Sequence, residues 1–65
     1  MRNEIKARRT ERRLSQAELG ELLGVSRQTV IAIENGKYDP SLPLAFKLAS
    51  VFEASIEDLF SPDEG

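Results

Sequence analysis

Cysteine, histidine and tryptophan are all missing from the 65 residues. Without cysteine there is no disulfide and no thiol nucleophile, and without histidine there is neither the usual general base nor the commonest nitrogen ligand for a metal. The carboxylates that remain fall at helix starts and in the C-terminal stretch, so neither an enzyme nor a bound metal, cofactor or small-molecule ligand is expected. No apolar run approaches the roughly 18 residues of a membrane helix, and no apolar export segment follows the Met1-Arg2-Asn3-Glu4 start. The expectation is a soluble protein of the reducing cytoplasm, with no membrane partner.

With 40% hydrophobic residues the chain can bury one small core, which implies a single domain over 1–61 followed by an acidic tail at 62–65. A core this small, with neither disulfide nor metal behind it, points to self-association. The net charge is −2, yet six of the nine basic residues (Arg2, Lys6, Arg8, Arg9, Arg12 and Arg13) precede Leu14. Every charge after Lys47 is acidic: Glu53, Glu57, Asp58, Asp63 and Glu64. A basic end facing a polyanion and an acidic end facing away would reconcile the negative total with nucleic-acid binding.

The helix breakers mark out about five short helices, and no stretch alternates as a strand would, so an all-α fold is expected. A first helix over Arg2 to Glu11 has Ile5 as its main apolar contact. Ser15 and Glu18 form a capping box that starts the second helix, which ends near Leu23 with Gly24 placed to turn the chain. Ser26 caps a third helix that stops at Asn35-Gly36 and sends Val30 and Ile33 inward. Asp39-Pro40 makes a turn, and Ser41 caps a fourth helix with Pro43 in its first turn and Leu44, Leu48, Val51 and Phe52 as its apolar stripe. Ser55 and Asp58 open a last short helix, Ile56 to Phe60.

The segment from Gln16 to Asn35 is the informative one. Two helices that cross steeply at a tight turn need a tiny residue where they touch, a glycine in the turn and apolar residues at the corner. Gly20, Gly24 and the set Leu19, Leu23, Val25, Val30 and Ile33 meet those requirements, whereas an antiparallel hairpin would not need them. The spacing is therefore that of a helix-turn-helix, whose second helix presents its N-terminal residues to the DNA major groove. There Arg27 could pair with guanine and Gln28 with adenine. Thr29 is a weaker candidate for base contact. Ile31 follows inward Val30, so it is placed on the surface, where it either meets a thymine methyl or is incidental.

The run LSQAELGELLGVSRQTVIAIENGKYDPS, Leu14 to Ser41, resembles the phage-repressor and Cro-like helix-turn-helix family, also called the XRE family. With the flanking helices the likeness spans nearly the whole chain, and it is greatest for small stand-alone regulators of the cytolysin-repressor type. The resemblance implies a five-helix, lambda-repressor-like domain that binds double-stranded operator DNA as a two-fold homodimer. Within that likeness Ala32 sits where a base-reading side chain is common, and Gln16 where a phosphate contact braces the reading helix. Ser26, Asn35, Lys37 and Tyr38 are candidate backbone contacts, although Asn35 could simply end the helix and Tyr38 could pack on the domain. Arg9 and Glu34 match a partly buried ion pair that is structural. Arg8 departs from the apolar residue of many relatives, leaving open whether it reaches solvent or phosphate.

The function expected is thus sequence-specific transcriptional regulation, with repression by promoter occlusion the simplest form. Leu42, Val51, Ile56, Leu59 and Phe60 are the candidate dimer interface, because so small a core has little room for them all. The competing reading is an antitoxin-type protein-interaction module that also represses its own promoter.

Overall fold

The computed structural model describes residues 2–61; the acidic tail at 62–65 lies outside that range. The element order is β1 (Arg2–Asn3), α1 (Ile5–Glu11), α2 (Gln16–Leu23), α3 (Arg27–Glu34), α4 (Leu42–Phe52), α5 (Ile56–Leu59) and β2 (Phe60–Ser61). The five helices are as expected, but the two ends differ from the sequence reading. Arg2 and Asn3 do not extend the first helix. They pair antiparallel with Phe60–Ser61, in the register Arg2 to Ser61 and Asn3 to Phe60. Two-residue strands are too short to leave an alternating pattern, so the sequence carries no sign of them.

The helix starts follow the capping chemistry. Ser15, Ser26, Ser41 and Ser55 each take extended backbone and accept from the amide three residues on. At Ser15 and Ser55 the reciprocal bond is present too, from the serine amide to Glu18 Oε1 at 2.8 Å and to Asp58 Oδ2 at 3.3 Å. Those Ser15 hydrogen bonds, the one from its amide foremost, hold the Glu18 carboxyl below its ordinary pKa. Helix α1 is started differently. Asn3 Oδ1 accepts from the Ile5 amide at 3.1 Å, while its Nδ2 donates to the Ile33 carbonyl at 2.7 Å. From one residue before the N-cap, Asn3 thus satisfies the first amide of α1 and ties that helix to the last turn of α3.

The α2–α3 corner depends on two glycines. Gly24 ends α2 at φ 75°, a left-handed conformation in which a side chain would be strained. At Gly20 a Cβ would sit 2.8 Å from the Val25 carbonyl oxygen, closer than the two helices permit. Around this corner the core gathers Ile5, Leu19, Leu23, Val30, Ile33, Leu44, Ala45, Leu48, Phe52, Leu59 and Phe60. Two cations finish helix ends from a distance: Arg12 Nη2 donates to the Phe52 carbonyl at 2.9 Å, and Lys47 Nζ to the Leu23 carbonyl at 3.4 Å. Each meets the negative end of a helix dipole. The Arg12 guanidinium also lies 5.7 Å from the Phe52 ring centroid, in reach of a cation–π attraction.

Candidate nucleic-acid interface

The carboxylate of Glu34 is where three helices meet. Arg9 Nε of α1 donates to Glu34 Oε2 at 2.6 Å and its Nη2 to Oε1 at 3.4 Å, while Arg9 Nη1 donates to the Leu14 carbonyl at 2.7 Å. From the first turn of α2, Gln16 Nε2 donates to Glu34 Oε1 at 3.2 Å. The Arg9 and Glu34 side chains are only 11% and 3% exposed. No buried side-chain nitrogen or oxygen among the described residues lacks a partner, so burial strengthens the short Arg9–Glu34 bond instead of stranding a charge. The consequence is mechanical: the last residue of α3 is fixed to α1, to the α1–α2 loop and to α2, which sets the direction in which α3 points.

What α3 points outward is its first turn. Ser26, Arg27 and Gln28 are exposed, Thr29 half-buried, and Val30 turns inward. The Ser26 hydroxyl accepts from the Thr29 amide at 3.2 Å and lies 3.0 Å from the Thr29 hydroxyl, so both are occupied in forming the cap. By contrast the side chains of Arg27, Gln28 and Lys37 make no hydrogen bond or ion pair among the described residues. A long, ordered helix start that leaves a guanidinium and an amide unengaged is suited to reading base edges. Its dipole favours an anion beside it. Asn35, Lys37 and Tyr38 follow α3 in sequence and are exposed, Tyr38 to 44%.

Several expectations change. Ile31 is half-buried rather than on the surface, because a 100° step from Val30 leaves it at the edge of the inward face. Ala32 is half-buried as well. Gln16 is half-buried and already spends one donor on Glu34, so bracing is its visible part. Leu59 and Phe60 are 1% and 8% exposed and belong to the chain's own core, which corrects their place in a dimer interface. The pairing of β1 with β2 carries them inward. Val51 and Ile56 are half-buried against that core. Leu42, at 64%, stays exposed and is joined by Phe46, at 59%, one turn later on α4. Phe46 lies outside the stripe of Leu44, Leu48, Val51 and Phe52 that the sequence marks on this helix.

The basic N-terminal cluster is also divided. Arg9 is buried, Arg12 caps α4, and Arg8 lies 3.7 Å from Glu4 as an exposed pair worth little. Arg2 stands in register with Ser61, so the basic start of the sequence pairs with β2 instead of standing apart from it. The charge separation along the sequence is not a separation in space there. Among the described residues no helix is long and apolar enough to cross a membrane.

Known proteins agree with this geometry. A family model described as helix-turn-helix matches residues 5–59. An uncharacterized HTH-type transcriptional regulator of Methanocaldococcus jannaschii is 58% identical over 60 residues, covering 92% of this chain and 91% of that protein. The cryptic phage CTXphi transcriptional repressor RstR of Vibrio cholerae is 36% identical over 62 residues, 95% of this chain and 56% of its own length. Among solved structures, the restriction-modification controller protein C.AhdI of Aeromonas hydrophila superposes with a TM-score of 0.78 at 33% identity, covering 88% of this chain and 86% of that one. The chain belongs to the XRE-type helix-turn-helix family of DNA-binding transcriptional regulators, which are not enzymes.

Proposed function

We propose that this protein is a cytoplasmic repressor that binds an inverted-repeat operator as a homodimer and acts by occluding a promoter. The observation that carries the reading is the start of α3, where Arg27 and Gln28 are exposed and unengaged while Glu34 anchors the other end of the helix to α1 and α2. Arg27 and Gln28 read bases, with Thr29, Ile31 and Ala32 bordering them. Gln16, Ser26, Asn35, Lys37 and Tyr38 flank the phosphates. Two copies meet over the apolar surface that the core leaves on α4, Leu42 and Phe46, extended by Val51 and Ile56.

The test is selection of bound duplexes from random DNA, followed by light scattering of the complex. The expected result is an inverted repeat with half-sites about one helical turn apart, two protein copies per duplex, and an affinity that falls steeply with salt. Binding without sequence preference, or one copy per duplex, would contradict the reading.

A further inference from the structure

Between the outer face of α3 and the loop after it lies an open hollow of about 200 Å³ lined by Gln28, Thr29, Ala32 and Tyr38. Three of the four are at i, i+1 and i+4 on α3, so they share one side of the helix, and Tyr38 closes the far wall from the loop. The hollow exists because position 32 is alanine. Any longer side chain there would extend outward into the space that Tyr38 now borders.

Its polarity is low for a reason visible in the cap. The Thr29 hydroxyl is held 3.0 Å from Ser26 Oγ, which leaves its methyl group as the free end. Ala32 adds a methyl and Tyr38 a ring, so the Gln28 amide and the Tyr38 phenol are the polar groups left. The volume is below that of ordinary small-molecule sites, which begin near roughly 300 Å³ and enclose their ligand. A shallow apolar hollow one turn inside the start of a reading helix matches one feature of the major groove. Among base edges only a pyrimidine carrying a 5-methyl group offers an apolar projection there.

We infer that the Gln28–Thr29–Ala32–Tyr38 hollow receives the 5-methyl group of a pyrimidine, so that the protein distinguishes methylated from unmethylated pyrimidines at one position of each half-site. The inference rests on α3 being the reading helix. Thymine and 5-methylcytosine present the same group, and the hollow is complementary to either. Gln28 at the rim is placed to engage a neighbouring base edge while the methyl group fills the floor.

The experiment starts from the duplex selected above. Each thymine is replaced singly by deoxyuridine, each cytosine singly by 5-methylcytosine, and affinities are compared for wild type and for Ala32→Leu, which fills the hollow. At one position per half-site the methyl group strengthens wild-type binding by about fourfold, the factor expected for burying one methyl-sized group. A thymine-to-uracil effect alone identifies thymine as the occupant, and a cytosine-methylation effect alone identifies 5-methylcytosine. Ala32→Leu melts like wild type and binds the paired duplexes equally. Tyr38→Ala, which opens the far wall, likewise narrows the difference. A duplex bound with clear sequence preference but with no methyl dependence at any position overturns the inference and leaves the reading helix standing. The same holds if Ala32→Leu keeps the full methyl effect. Failure to select any duplex overturns both.

Discussion

Glu34 receives hydrogen bonds from Arg9 and Gln16 while almost wholly buried, so its removal strands the Arg9 guanidinium rather than merely deleting a bond. Glu34→Ala and Arg9→Ala are each expected to lower stability by about 3–5 kcal/mol, and the double variant by less than the sum, because the second substitution removes the charge the first left unpaired. Urea unfolding of the three variants measures this; additive losses would mean that the pair is not coupled. That an arginine of the first helix meets the glutamate before Asn35-Gly36 was readable from family likeness. Asn3, Arg12 and Lys47 were not. Their partners are backbone carbonyls of Ile33, Phe52 and Leu23, 24 or more residues away, and any carbonyl near a helix end would have looked the same in the sequence.

At the scale of elements, the α2–α3 corner was legible because its demands are local: Ser15 and Ser26 start the helices, Gly24 turns the chain and Gly20 lets the backbones touch. Gly24→Ala forces a side chain into the left-handed region and is expected to cost about 1–2 kcal/mol. Thermal unfolding followed by circular dichroism would detect this, and an unchanged melting temperature would mean that the turn relaxes without strain. The chain ends were less legible. Two-residue strands have no periodicity, and α5 spans only four residues, too few to fix which of Ile56, Leu59 and Phe60 faces inward. Helix α4 ends on Glu53 at φ 52°, a left-handed position without the glycine that marks Gly24 and Gly36.

At the scale of the whole molecule, the separation of charge along the chain misleads, because folding uses Arg9 and Arg12 for internal hydrogen bonds and pairs Arg2 with Ser61. Arg27 and Lys37, on α3 and just after it, are exposed cations whose side chains make no hydrogen bond or ion pair among the described residues, which leaves both available to an anionic partner. Arg27 is exposed, and among the described residues its side chain makes no hydrogen bond or ion pair. The most direct test is therefore a fluorescence anisotropy titration of the selected duplex and a scrambled duplex with wild type and Arg27→Ala. Arg27→Ala is expected to melt like wild type, to lose about 1–3 kcal/mol on the selected duplex and to lose less on the scrambled one. Equal affinity of the two proteins for the selected duplex would contradict it.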